Sequence, residues 1–235
     1  MFSLLISPVV FSKLSEICII YPGIIAVSIC TSCTDSIQFY ILSVHEMASI
    51  DKLLLQSNTV FSFQDMAYLW NLNDTTAIRI KASYLTKRKK LQRLRKGMYA
   101  IVGRAYDPLE LANKLRTPSY ISLETVLVQE GIMFQYYESI YSISNLSRTY
   151  VIDNKEFIYR KIKDEILLNP KGIVKDGNYM IATRERAVLD TLYLNKNYYF
   201  DNLNNFNFDK ALELAEIYET NSLIKELIIL QKENA

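Results

Sequence analysis

Between Thr75 and Tyr106 the chain carries ten basic residues (Arg79, Lys81, Lys87, Arg88, Lys89, Lys90, Arg93, Arg95, Lys96 and Arg104) and not one Asp or Glu. Ten like charges cannot be buried without partners, and they repel one another unless they lie on a solvated face or meet an anion. Whatever this window folds into must turn its apolar positions toward a core and its cations outward. Elsewhere the chain holds 17 bases and 25 acids, so a basic stretch of +10 is joined to a remainder of −8 within an overall charge of only +2. Net charge alone therefore conceals the polarity of the chain. With 235 residues, 50% of them hydrophobic, there is enough sequence for one large domain or two small ones, and the disordered, collagen-like and disulfide-scaffold classes are excluded.

Periodicity places the charges. Phe61-Ser-Phe-Gln-Asp-Met-Ala-Tyr-Leu-Trp70 sets Met66, Leu69 and Trp70 at helical spacing behind Ser62, with Asp65 three positions on as in a capping box. A brief turn at Leu72-Asn73 leads to a second helix, capped by Asn73 or Asp74 and running to about Arg88. If Ile78, Ala82 and Leu85 form its buried stripe, a rotation of about 100° per residue turns Thr76, Arg79, Ile80, Ser83 and Lys87 outward. Leu91–Arg95 and Met98–Val102 then flank Lys96-Gly97 as a basic hairpin, with a turn residue that tolerates positive φ. Helix, turn, helix and hairpin is the order of a winged helix, whose second helix enters the major groove while the wing grips phosphates. The expected partner is double-stranded DNA. Its expected contacts are Thr76, Arg79, Ser83, Lys87, Arg88, Lys90, Arg93, Arg95 and Lys96, with Gly97 at the wing turn.

From Asp107 the pattern changes to helices over Pro108–Leu115 and from Ser122 to about Gln129, the second closed by Gly131. Strands are expected over 139–144, 148–152, 156–162 and 179–182, with Asp153-Asn154-Lys155 as a hairpin turn. Thr183 caps a helix from Arg184 to Leu194 that turns Val188, Leu189 and Leu192 inward and holds Asp190, read as a structural ion pair with Arg184 and Arg186. An Asn-rich loop over 195–207 precedes one amphipathic stretch from Asp209 to Gln231. The fold class predicted is α+β: an N-terminal winged helix-turn-helix over 47–106, then a mixed domain over 107–235 with grouped helices and a small sheet.

The first 46 residues differ. They contain every Cys (Cys18, Cys30, Cys33) and the single His45, and they show neither strand nor helix periodicity. The uncharged run Ile17–Thr34 reaches the lower length of a membrane span but is broken by Pro22-Gly23, and a positively charged start suited to export is missing. The reading adopted is that Met47, which leads directly into a helical pattern, begins the native chain, with a membrane or export segment as the alternative. Cys30-Thr-Ser-Cys33 has redox or zinc spacing without a second ligand pair and is read as coincidental.

Past Met47 there is no His or Cys, so ordinary zinc sites, Ser-His-Asp triads and thiol nucleophiles cannot be built, and no glycine-rich phosphate loop is present. Asp153 and Glu156 near Lys161 and Lys163 have the content of a two-metal nuclease site, but they read as turn and strand-edge charges. No catalytic residues, metal or cofactor are expected, and the chain is read as a cytoplasmic binding protein.

Phe63-Gln-Asp-Met-Ala-Tyr-Leu69 and Leu85-Thr-Lys-Arg-Lys-Lys-Leu-Gln-Arg-Leu-Arg-Lys-Gly-Met-Tyr-Ala100 resemble the N-terminal winged helix of the AbiEi family. Pro118-Ser-Tyr-Ile-Ser-Leu-Glu-Thr-Val-Leu127 and Ile181-Ala-Thr-Arg-Glu-Arg-Ala-Val-Leu-Asp-Thr-Leu-Tyr193 are similar to two blocks of that family's second domain, so the resemblance spans roughly 50–205. Lys81 stands where the family usually has an apolar residue. The resemblance implies an antitoxin of a type IV toxin-antitoxin pair, encoded beside a nucleotidyltransferase-like toxin and repressing its own operon through the winged helix. Two other readings stay open on the residues alone: a winged-helix regulator whose second domain senses a ligand or partner, and a metal-dependent nuclease with a DNA-binding arm.

Overall fold

An apolar run without alternation still forms a sheet near the start of the chain. Phe11–Lys13 (β1), Glu16–Tyr21 (β2) and Ile24–Ile29 (β3) pair antiparallel in the order β1-β2-β3. This corrects the expectation that the segment carries no fold signal: β-branched content, rather than a two-residue period, makes these strands. Nor is Ile17–Thr34 one spanning helix, since Ile17 lies opposite Ile29 across β2 and β3. The computed structural model describes these strands, residues 49–204 and residues 206–234. Met47 and the Cys30-Thr-Ser-Cys33 motif lie outside the described residues. Among those residues no helix is long and apolar enough to cross a membrane. The chain divides into two compact units, Met1–Lys52 and Leu53–Ala235.

After a helical segment over 49–54 (α1) come Val60–Ser62 (β4), Phe63–Trp70 (α2), Thr75–Lys87 (α3), Leu91–Arg95 (β5) and Met98–Ile101 (β6). The Ser62 hydroxyl accepts the Asp65 amide at 3.2 Å while the Asp65 carboxylate accepts the Ser62 amide at 2.8 Å, closing the expected capping box. At the other end Asn71 takes a left-handed conformation and its neighbour Leu72 donates its amide to the Ala67 carbonyl, which stops α2. Asp74 then caps α3 by accepting the amides of Thr76 and Ala77. Ile78, Ala82 and Leu85 are buried, as the stripe requires, against a core that includes Leu53, Met66, Trp70 and Leu91. The sheet order β4-β6-β5 completes a winged helix-turn-helix.

The remainder comprises Pro108–Leu115 (α4), Ser119–Ile121 (β7), Glu124–Gln129 (α5), Ile140–Ser144 (β8), Arg148–Ile152 (β9) and Lys155–Lys161 (β10). There follow Asp164–Leu167 (α6), Ile173–Asp176 (β11), Tyr179–Ala182 (β12), Arg184–Leu194 (α7), Phe208–Ala215 (α8), a 3₁₀ turn Glu216–Tyr218 and Asn221–Glu233 (α9). One mixed sheet of six strands, in the order β11-β12-β7-β8-β10-β9, carries the helices. Asp153 and Asn154 both have positive φ, 49° and 62°, the backbone that a two-residue hairpin turn between β9 and β10 demands. Four short elements, β4, β7, β11 and α6, are not expected from the sequence. The expected helix from Ser122 begins at Glu124 because the residues before it pair as β7. The expected single stretch from Asp209 to Gln231 is two helices, since Glu219 turns left-handed at φ 49° after the 3₁₀ turn.

Between α7 and the sheet lies a buried charge pair. Arg186 and Asp190, one turn apart on α7, both have zero exposure, with Nε and Oδ1 3.5 Å apart. The guanidinium donates to the Lys171 and Ile166 carbonyls at 2.8 and 2.7 Å and to the Tyr120 hydroxyl at 3.3 Å. The Asp190 carboxylate accepts from Tyr218 at 2.6 Å, Ser122 at 2.7 Å and Tyr120 at about 3.0 Å. Burial pushes the Asp190 carboxyl above the ordinary value, against the pull of Arg186 and the three hydroxyls. Arg184, expected to share this pair, instead binds Glu130 at 2.8 Å. Gly172 sits so close that a Cβ there would lie 3.0 Å from the Arg186 Cβ, at a φ of +74° that side chains disfavour.

Helix α4 seats the winged helix on this sheet. Buried Glu110 accepts both the amide and the hydroxyl of Thr59, at 2.8 and 2.7 Å, and pairs with Lys114 at 3.1 Å. Lys114 reaches on to Asp65 at 2.9 Å, and Val60 of β4 belongs to the same apolar cluster as Leu111 and Ala112. Burial opposes ionisation of Asp65, but the Lys114 ammonium and the Ser62 groups outweigh it and hold its carboxyl below the ordinary Asp value.

Asp190→Ala leaves a guanidinium buried without its counter-charge and is expected to cost about 3–5 kcal/mol in urea unfolding. A depressed folded pKa makes the contribution of Asp65 complete above the unfolded value of about 4 and lost as pH falls through the folded one. The stability gap between wild type and Asp65→Asn should therefore narrow below about pH 4, measured by urea unfolding across a pH series.

Candidate nucleic-acid interface

Between α3 and the β5–β6 hairpin runs a cleft of about 430 Å³. Arg79, Ser83 and Lys87 line it from the helix, Arg93, Lys96 and Gly97 from the hairpin, and no acid faces it. The helix contributes its residues because its apolar stripe is buried on the opposite side; the hairpin contributes Arg93 because it pairs directly with Tyr99, which sets both side chains on the face turned to the cleft. Among the described residues none of these four cations forms an ion pair with a carboxylate. Phe63 and Tyr99, with ring centroids 5.9 Å apart, form an aromatic floor. Gly97 holds the turn at φ +82°, and a Cβ there would already touch the Phe63 ring at 3.4 Å.

The other predicted contacts are distributed differently. Thr76 and Ile80 stand exposed on the crest of α3, directly opposite its buried stripe. Arg88 caps the helix and lies 5.5 Å from the Tyr84 ring, while Lys90 is exposed at the entry to β5. Arg95 does not join the cleft: its guanidinium sits over the Tyr150 ring of β9 at 4.1 Å, bracing the hairpin against the six-stranded sheet. Two further bases of the run also serve the fold. Lys81 lies over the Trp70 ring at 4.9 Å, where its long stem can cover apolar surface, and Arg104 donates to the carbonyls of Gln56 and Ser57.

Sequence reasoning missed Phe63, Thr86 and Tyr99 in the cleft. Phe63 reaches the cleft because β4, which leads into its helix, pairs with β6, a long-range pairing that residue spacing does not announce. The Thr86 hydroxyl donates back to the Ala82 carbonyl at 2.8 Å, so it lines the wall without offering a free donor. The two acids of the nuclease-like cluster are engaged separately: Asp153 accepts the Tyr106 hydroxyl at 2.8 Å and Glu156 accepts the Ser139 hydroxyl at 3.1 Å. Burial together with Asp153 pushes the Tyr106 phenol up to about 12. Asp153 and Glu156 are therefore positioned by turn and strand-edge bonds rather than gathered around a common point.

No protein-family model matches the sequence, and no curated protein matches it. Among solved structures, the crystal structure of the RV2827C protein from Mycobacterium tuberculosis is similar at 13% identity and a TM-score of 0.40, covering 79% of this chain and 81% of that one.

Because Arg93 and Lys96 face the cleft and Arg95 faces Tyr150, their alanine variants should separate. Arg93→Ala and Lys96→Ala are each expected to flatten the dependence of log K on log salt for duplex DNA by about 0.9, one phosphate's worth. Arg95→Ala should leave the slope closer to wild type and lower stability by about 0.5–1 kcal/mol, read by thermal unfolding.

Proposed function

We propose that this protein is a sequence-specific double-stranded DNA-binding antitoxin that represses its own operon and counters a nucleotidyltransferase-like toxin encoded by the adjacent gene, working in the cytoplasm as a binding protein rather than an enzyme. The observation that supports the DNA-binding half is the acid-free cleft between α3 and the hairpin, where Arg79, Lys87, Arg93 and Lys96 converge. Four cations held this close repel one another in the free protein, and a phosphate backbone relieves that repulsion while releasing its own condensed counterions. With α3 in the major groove, Arg79 can pair in bidentate fashion with guanine O6 and N7, the geometry for which a planar guanidinium is suited. Lys87 and the two hairpin cations then lie beside the groove, at the height of the phosphates. The winged helix shares one compact unit with the second sheet. The toxin half rests on the resemblance of the second-domain blocks at 118–127 and 181–193.

Fluorescence anisotropy with the operon's own upstream DNA and a scrambled duplex, over a salt series, tests the first half. Specific binding with a steep salt slope is expected. Arg79→Ala should cost about 1–3 kcal/mol on the operator and much less on the scrambled duplex. Equal affinity for both duplexes at every salt concentration would overturn the repressor reading. For the second half, co-expression with the adjacent gene product should restore growth, and failure to do so would remove the antitoxin role while leaving the repressor.

A further inference from the structure

Ile80 is the single large apolar side chain exposed on α3. It is 65% exposed, while the exposed residues around it on the helix, Thr75, Thr76, Arg79, Ser83 and Lys87, are all polar. Its place is not peripheral. Counting 100° per residue from the buried Ile78, Ile80 comes to lie almost opposite the core, on one line with Thr76, Ser83 and Lys87, and Arg79 stands one step toward the hairpin. This is the line that goes deepest into any groove that receives the helix. An apolar group here gains nothing from water and gains only when apolar surface covers it. The cations flanking it, with no acid among them, call for a polyanion rather than an apolar protein groove.

Resting on the duplex-binding reading above, we propose that Ile80 reads the 5-methyl group of a thymine in the major groove, in the base pair next to the one that Arg79 contacts. Of the four bases only thymine presents an apolar group on the major-groove edge. Arg79 and Ile80 are consecutive, separated by a rise of about 1.5 Å along the helix, against about 3.4 Å between base pairs. Two consecutive side chains can therefore address two adjacent pairs. The recognition core is a guanine and a thymine side by side, the first read by paired hydrogen bonds and the second by the methyl group. Thr76, one turn toward the N-terminus, reaches the pair on the other side of that thymine.

The test uses the full chain and duplexes selected by it from a random-sequence library, in which each thymine is then replaced singly by deoxyuridine, removing the methyl and nothing else. Wild type is expected to lose about fourfold in affinity at one thymine, the value of one buried methyl group, beside the guanine whose replacement Arg79→Ala makes harmless. Ile80→Ala should bind the thymine and deoxyuridine duplexes equally, with an unchanged salt slope. Ile80→Val should keep part of the discrimination. Alanine at this exposed helical position favours the helix, and an unchanged melting curve shows that the variant folds. A flat deoxyuridine scan with specific binding intact overturns the Ile80 inference alone, as does methyl discrimination that survives Ile80→Ala. If no sequence is enriched from the library, the sequence-specific DNA-binding reading falls and this inference falls with it.

Discussion

A buried guanidinium and carboxylate set the terms for the second half of the molecule. Neither Arg186 nor Asp190 touches solvent, and removing two charges from water is costly enough that every remaining donor and acceptor must be met. Most are met from five places along the chain, the Ile166 and Lys171 carbonyls, Tyr120 on β7, Ser122 just after it, and Tyr218 in the 3₁₀ turn, while the guanidinium Nε faces Asp190 at 3.5 Å without a hydrogen bond. The rings of Tyr120 and Tyr218 flank the guanidinium at 5.6 and 5.3 Å, so the same two residues supply both hydroxyls and π faces. A shift of any one element would strand a charge in a medium that cannot solvate it. The pair therefore acts less as a source of net stability than as a register pin for β7, α6, α7 and the C-terminal helices.

The winged helix is tied to this arrangement by smaller versions of the same device. Glu110 is buried, and its partners Thr59 and Lys114 join the strand that opens the winged helix to the helix that leaves it. Lys114 also touches Asp65, which already caps α2, so one ammonium links the start of the helix-turn-helix to α4. On the far side Tyr106 bonds Asp153, and Arg95 covers Tyr150. Lys81, Arg88, Arg95 and Arg104 of the run thus lie on rings or carbonyls of the fold. The cations left facing solvent are concentrated along α3 and the hairpin.

What could be read in advance was local chemistry. Ser62 with Asp65, Asp74, Asp107 before Pro108, and Thr183 each place a helix start within a residue, because a cap is an exchange between groups two or three positions apart. The buried stripe of α3 and the turn at Asp153-Asn154 were legible for the same reason. Elements made by distant pairing were not. Strand β7 has three residues and exists because Ser119–Ile121 finds β8 on one side and β12 on the other. Arg95 belongs to the wing in sequence, yet its stacking partner Tyr150 lies on a strand far along the chain, and no spacing rule reaches across that distance. The Ile-rich start misled for a different reason, since its strands come from composition without alternation.

The brace at Arg95 has a mechanical consequence. A wing anchored to a second sheet has given up its own freedom at folding, so little remains to be lost when a ligand arrives. With α3 and the hairpin held by one body, bending on binding the proposed duplex would fall to the DNA, and the work of bending depends on base steps that the protein would not touch. Under the proposed duplex-binding reading, a molecule built this way would weigh the stiffness of a sequence as well as its letters.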